Sequence, residues 1–362
     1  MNLLKKIDWN VLNTYIEQGL IFVNKHKLYD LWILNYSKTV TYEKKWDDYT
    51  LACRGLVIDG DGNIIARPFS KFKNFEEHDI KDINLNQDYE IFEKMDGSLG
   101  ILFYYGVIGK WMCATRGSFD SEQAVCGMEI LNNKLSVENW NSLNKDITYL
   151  FEIIYPENRI VVDYDGLSDM VLLGMIETSS GYELPYSIVK TNDSLFTVVK
   201  RYEYPKVSNL GDLRAYSEDN REGFVIRFAD DFRVKVKFLD YCRLHSIITN
   251  VSTTSIWEMM RAGKNLSDIL ENVPDEFYNF VKKVMADLTT SYLKIEDAVL
   301  DEFAEIYFVK GMFNRKEFAV EAMKSKNNGY LFMIYDGRDY SDLIWKQIRP
   351  VWSKPFKIIE EE

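Results

Sequence analysis

The sequence predicts an α+β fold in which antiparallel sheets give way, near residue 245, to an all-helical region. Three observations carry that reading. Apolar runs of strand length recur between Leu31 and Phe238, separated by turn residues. One pair of them, Leu56-Val57-Ile58 and Ile64-Ile65-Ala66, flanks Asp59-Gly60-Asp61-Gly62, a Gly-rich hairpin turn. Beyond Tyr241 the period changes, and Val281, Val284, Leu288, Ile295, Val299, Phe303 and Ile306 follow helical spacing. The implied organisation is one domain over residues 1–245 and a helical domain over 246–362.

In chain order, Asp8 to Gly19 reads as a helix capped by Asp8 and stopped by Gly19. Val11, Leu12, Tyr15 and Ile16 form its apolar face. Leu31 to Tyr36 is a strand, and the hairpin follows it. Tyr89 to Phe92 and Leu99 to Tyr105 are strands on either side of Glu93-Lys94-Met95-Asp96-Gly97-Ser98, with Asp96-Gly97 as a tight turn between them. Trp111–Ala114 is another strand. Asp120 and Gln123 resemble a capping box for a helix over 121–133. Leu150–Tyr155, Met170–Ile176, Phe224–Phe228 and Phe232–Phe238 complete the strands. In the helical region Pro274 opens a helix, Asn314 with Glu317 caps another, and Asn328-Gly329 closes it.

Composition narrows the function. With 362 residues and 46% hydrophobic content the chain can build a sizeable core. A formal net charge of −12 excludes a generally basic nucleic-acid coat protein. It leaves room for a local basic groove on an acidic body. Cys53, Cys113, Cys126 and Cys242 are isolated, and His26, His78 and His245 lie far apart, so zinc-type spacing is absent. The N-terminal Met1-Asn2-Leu3-Leu4-Lys5-Lys6 has no apolar signal core, and no apolar run approaches membrane-spanning length. The expectation is a soluble cytoplasmic protein with reduced thiols and no membrane partner.

Several residues invite chemistry. Lys94, at the end of a strand and followed by Asp96 and Gly97, can serve as a covalent nucleophile beside a close-approaching phosphate. A polar turn is the bland alternative. Val234-Lys235-Val236-Lys237-Phe238 alternates strictly, so Lys235 and Lys237 share a face. Two neighbouring cations repel unless an anion such as a triphosphate lies between them; a solvated face is the alternative. Glu152 interrupts the apolar run Leu150–Ile154, and Glu222 stands at a strand entrance. Together they could hold a hydrated Mg²⁺, or each could pair with a nearby cation. Arg54 and the interleaved Lys71-Phe72-Lys73 suit phosphate contact and stacking, or an ordinary edge strand.

Taken in order, Cys53-Arg54-Gly55, Ser70-Lys71-Phe72, Lys94-Met95-Asp96-Gly97-Ser98, Phe151-Glu152, Glu222-Gly223 and Lys235-Val236-Lys237 resemble the motifs of ATP-dependent RNA ligases, and of the bacteriophage T4 RNA ligase 1 family in particular. Three further stretches are similar to that family. They are Arg116-Gly117-Ser118 with Ser121–Ala124, Pro156-Glu157-Asn158-Arg159-Ile160-Val161, and Leu244-His245-Ser246. The resemblance is strong from about residue 30 to 246 and weaker beyond. It implies an ATP-grasp-like nucleotidyltransferase domain followed by a helical C-terminal domain.

The same resemblance assigns roles. It makes Lys94 the residue that accepts AMP from ATP. Tyr36, Arg54, Lys71 and Arg116 would lie around the nucleotide and its phosphates, with Arg116 standing where the prototype has lysine. Glu152 would bind ribose or a metal-bound water, Glu222 the metal, and Lys235 and Lys237 the α-phosphate. Asp96 and Gly97 complete the motif, and Tyr241 matches a tyrosine needed for activity. Asp275 and Glu276 fall where the family has a metal-contacting acid, although acids in a helix's first turn also complement its dipole. The implied cofactors are ATP with Mg²⁺ or Mn²⁺. The implied substrate is RNA with 5′-phosphate and 3′-hydroxyl ends, with cleaved tRNA the expected case for repair. DNA ligases and capping enzymes remain as alternatives, but they append a β-barrel where this chain turns helical. A catalytically silent RNA-binding module is the other alternative.

Overall fold

The computed structural model describes residues 5–248, 250–265, 269–270 and 277–355. The chain forms two compact units, residues 1–248 and 249–362. The strands of the first unit are β1 (Ile21–Lys25), β2 (Leu31–Tyr36), β3 (Arg54–Asp59), β4 (Ile64–Ala66), β5 (Lys73–Asn74), β6 (Tyr89–Lys94), β7 (Ser98–Tyr105), β8 (Lys110–Ala114), β9 (Ile147–Ile154), β10 (Asp169–Glu177), β11 (Thr197–Val198), β12 (Arg201–Tyr202), β13 (Gly223–Phe228) and β14 (Arg233–Lys237). They form a four-stranded sheet ordered β1-β2-β3-β4 and two five-stranded sheets ordered β11-β10-β9-β7-β8 and β12-β6-β13-β14-β5. Pairing is antiparallel except at two edges, where β11 lies parallel to β10 and β5 parallel to β14.

The second sheet is the centre of the unit. Side chains alternate along β9, so Leu150, Glu152 and Ile154 share one face. On that face Leu150, with Ile101 and Phe103 of β7, packs against Leu31, Ile33 and Val57 of the first sheet. Farther along it, Ile154 and Val171 meet Phe92 and Val225 of the third sheet. The opposite face, with Leu102, Tyr149, Phe151 and Ile153, is covered by Leu131 and Val189 from flanking helices. Glu152 therefore sits on β9 between two apolar contacts, where the other two sheets converge.

Three local expectations change. β6 and β7 do not form a hairpin: β6 pairs with β12 and β13, whereas β7 pairs with β8 and β9. The Asp96-Gly97 turn carries the chain from one sheet to another. The helix Glu122–Lys134 is capped by Ser121, whose hydroxyl accepts from the Ala124 N–H at 3.2 Å, rather than by Asp120. Asp120 is instead drawn outward by Lys27. Near the C-terminus Asn314 does cap the helix Arg315–Ala322, but its side chain accepts from the Lys316 N–H. That helix ends at Ala322, and Asn328-Gly329 opens the next one, Asn328–Tyr335.

The described part of the second unit is helical: Thr253–Arg261, Tyr278–Ala304 with a π-turn over Glu305–Val309, Arg315–Ala322, Asn328–Tyr335 and Ser341–Gln347. Val299, Ile306, Phe318, Leu331 and Ile344 build its core. Pro274, Asp275 and Glu276 lie outside the described residues. No helix among the described residues is long and apolar enough to cross a membrane.

Candidate active site

Strand register brings the two lysine motifs together. Gly223 of β13 pairs with Lys94 on one side and with Lys237 on the other. Its φ of +148° lies in a region L side chains rarely adopt, and a Cβ there would sit 2.1 Å from the Val236 carbonyl oxygen. Only glycine lets β13 start at this point, with Glu222 immediately before it. The Glu222 carboxylate is 3% exposed and lies between the two lysines. Lys94 Nζ donates to its Oε2 at 2.6 Å, and Lys237 Nζ lies 3.0 Å from its Oε1. Burial alone would raise the Glu222 pKa, but Lys94 and then Lys237 outweigh it and hold the carboxyl below its usual range.

Glu152 supplies the opposite wall. Its Oε1 accepts from the Gly97 N–H at 2.9 Å. Desolvation pushes its pKa up to about 7, Lys94 opposes that, and the charge of Glu222 adds to it. The two acids are thus driven in opposite directions: Glu222 is matched by two ammonium groups, whereas Glu152 is under-compensated. Among the described residues no three acidic, histidine or cysteine side chains form a ready-made metal cage. Glu222, expected as a metal ligand, has both oxygens engaged by lysines, and Asp275 lies outside the described residues.

The other expected phosphate contacts are distributed over the first sheet, the third sheet and the loops beside them. Lys235 lies 5.7 Å from the Phe72 ring centroid, and the Arg54 guanidinium lies 5.8 Å from the same ring. The next residue back, Lys71, is 5.5 Å from the Tyr36 ring and 5.7 Å from the Trp46 ring. Arg116 is 5.7 Å from Tyr36. Lys235 and Arg54 therefore share the Phe72 ring, and Lys71 and Arg116 share the Tyr36 ring. A cavity of about 500 Å³ runs from Lys71 and Phe72 past Arg67 and Lys73 to Arg233, and Lys94 is not among its lining residues.

Tyr241, from the helix Leu239–Ile248, donates its hydroxyl to Asp96 Oδ1 at 2.8 Å, and its ring centroid lies 5.1 Å from Lys237 Nζ. Asp96 is 3% exposed; its Oδ2 accepts from the N–H groups of Val161 and Val162, both at 2.9 Å. The Asp96 N–H donates to the Tyr164 hydroxyl at 2.8 Å. Sequence reasoning did not single out Trp46 or Tyr164, each a lone aromatic among polar residues. It also stopped the lysine alternation one step short, since Arg233 occupies the same face of β14 and pairs with Glu183.

A sequence model described as RNA ligase matches residues 52–241. The chain belongs to this family, the RNA ligases similar to bacteriophage T4 RNA ligase 1. Of the site residues, Arg54, Lys71, Lys94, Arg116, Glu152, Glu222, Lys235, Lys237 and Tyr241 fall within the matched segment, whereas Tyr36 and Asp275 lie outside it. The ligase is 24% identical to an RNA ligase of Rhodothermus phage RM378 over 89% of this chain and 88% of the relative. It is 28% identical to a protein of Thermovibrio ammonificans described as an RNA ligase by inference, over 54% of this chain and 53% of that one. Among solved structures, an archaeal ATP-dependent RNA ligase aligns with a TM-score of 0.48 at 16% identity, covering 75% of this ligase and 70% of that chain.

Proposed function

We propose that this RNA ligase seals RNA 5′-phosphate and 3′-hydroxyl ends with ATP as AMP donor and Lys94 as the nucleophile. The observation that carries the reading is the alignment of Lys94, Gly223 and Lys237 across three strands around Glu222, with Glu152 opposite. A lysine held beside a second ammonium and a line of cations is suited to meet a polyphosphate.

In the first step the Lys94 amine attacks the α-phosphorus of ATP. The N–P bond forms, the bond to the bridging oxygen of the β-phosphate breaks, and pyrophosphate leaves. Since an ammonium has no lone pair, Lys94 must first give up a proton and its bond to Glu222. Lys235 and Lys237 would meet charge gathering on the α-phosphate oxygens, and Arg54 and Lys71 would contact the nucleotide and its phosphates. In the second step an RNA 5′-phosphate oxygen takes AMP from Lys94, restoring the amine. In the third a 3′-hydroxyl attacks that RNA phosphate, and AMP leaves with the pyrophosphate-type bond broken.

A divalent cation fits beside Glu152. That carboxylate is the under-compensated acid of the site, and Mg²⁺ or Mn²⁺ prefers oxygen donors and keeps several waters. Glu152 would hold the ion, and a bound ion would supply charge neutralisation to the phosphates. The separate compactness of residues 1–248 and their content of all these motifs except Asp275 support assigning adenylation to residues 1–245. The region 246–362 would then serve RNA.

The experiment is incubation with α-labelled ATP and Mg²⁺, followed by a denaturing gel. Wild-type protein should retain label, and Lys94→Ala should not. Lys94→Ala should still seal RNA supplied with a 5′-adenylate, because the third step needs no free lysine. Retained label in Lys94→Ala would sink the nucleophile assignment, and no label on the wild type would favour a silent RNA binder. Broken tRNA stem-loops compared with linear oligonucleotides test whether tRNA is the preferred RNA.

A further inference from the structure

We infer that Asn158 is a positioning residue for the Lys94 turn, acting as a clamp on the first rung of the β7–β9 ladder. The inference rests on reading Lys94 as the nucleophile. Ser98, the first residue of β7, pairs in register with Ile153 of β9. Asn158 bonds both: its Oδ1 accepts from the Ser98 hydroxyl at 3.1 Å, and its Nδ2 donates to the Ile153 carbonyl at 3.0 Å. The carbonyl fixes which way the amide points, because only its NH₂ can donate there.

That same carbonyl is the wall against which the turn rests. A Cβ on Gly97 would lie 2.5 Å from the Ile153 oxygen, so the Gly97 backbone is pressed onto it while its N–H reaches Glu152. Any movement of Ile153 or Ser98 is passed to Gly97, three residues from the nucleophile. The same loop holds the turn a second time, since Val161, Val162 and Tyr164 bond Asp96. The stretch Pro156–Val161 thus fixes where β6 ends and hence where the Lys94 amine points. Asn158 is partly buried in this arrangement and does not bond Lys94, Glu222 or Lys237.

The prediction is selective for steps in which lysine reacts. In Asn158→Ala, lysine adenylation at saturating ATP should slow at least tenfold, the KM for ATP should stay within about twofold, and sealing of pre-adenylated RNA should stay near wild type. Ser98→Ala should share the defect, and the double variant should be no slower than Asn158→Ala alone, because both remove one link. Asn158→Asp, which keeps the bond from Ser98 but sets a carboxylate oxygen against the Ile153 carbonyl, should be at least as slow as Asn158→Ala. Parallel loss of adenylation and of pre-adenylated sealing would overturn the inference, as would multiplicative effects of the two variants or a normal adenylation rate in Asn158→Ala. If Asn158→Ala does not fold, Ser98→Ala carries the same test. Label on Lys94→Ala would refute the nucleophile itself, whereas an unaffected Asn158→Ala beside an unlabelled Lys94→Ala refutes only the clamp.

Discussion

Replacing Glu152 with Gln should stabilise the protein at alkaline pH while abolishing adenylation. The carboxyl has a folded pKa of about 7, raised from 4.5 chiefly by desolvation. A raised carboxyl pKa means that the folded state binds a proton more tightly than the unfolded chain. Stability from this residue is therefore greatest at low pH and is lost as pH climbs from the unfolded pKa through the folded one. Near pH 4 both states are protonated and the substitution should be close to neutral. By pH 8 the ionised folded form is disfavoured by on the order of 3 kcal/mol at most, which the amide avoids. Gln keeps an oxygen that can accept from the Gly97 N–H, so little else is disturbed. The assay is thermal unfolding of wild type and Glu152→Gln from pH 4 to pH 8 without divalent ions, where the gap should open steadily. A second arm adds Mg²⁺: wild type should gain stability by mass action, and the variant much less. An equal shift at every pH, or a variant less stable at pH 8, would refute the argument that this carboxylate is under-compensated.

Lys237→Ala should slow adenylation by roughly 10²–10³, the scale of one lost donor to developing charge. Lys73→Ala, in a cavity whose lining does not include Lys94, should cost much less, and single-turnover labelling compares them. Lys237→Arg should not restore the full rate, because a planar fork replaces a point charge poorly. A fragment ending at residue 248 should fold and take up AMP, measured by circular dichroism and gel label; a folded fragment without label would direct attention to Asp275. Tyr241→Phe, which removes the bond to Asp96 but keeps the ring near Lys237, should lower the adenylation rate at unchanged KM for ATP.

The parts of the site that were legible in sequence obey strict local rules. Strand alternation put Lys235 and Lys237 on one face, and the same period carries Arg233 with them. Glu152 stood out because a carboxylate inside Leu150–Ile154 requires compensation. What escaped was long-range or too short to show a period. An Asp-Gly turn looks alike whether its strands pair or part, so the passage of β6 and β7 into different sheets left no local mark. β5, β11 and β12 contain two residues each and cannot display alternation. The contact between Lys94 and Glu222 spans 128 residues, and either could equally have been expected to face a metal or solvent.

That contact also decides how Glu222 should be probed. Glu222 is buried and bonds two ammonium groups, so removing it takes one carboxylate away from both Lys94 and Lys237. Breaking a buried pair in this way costs about 3–5 kcal/mol. Loss of activity in Glu222→Ala therefore does not by itself distinguish a metal ligand from a counter-ion of the two lysines. Adenylation changes the balance as well: once Lys94 carries AMP its positive charge is gone, and Glu222 is left with Lys237, which the phosphate also needs. The same carboxylate that anchors the resting lysine then competes with the nucleotide for the second one. Glu152, whose burial outweighs the help of Lys94 and the Gly97 N–H, is consequently the residue at which a requirement for a divalent ion can be read, through the ion-induced rise in unfolding temperature and its loss in Glu152→Gln.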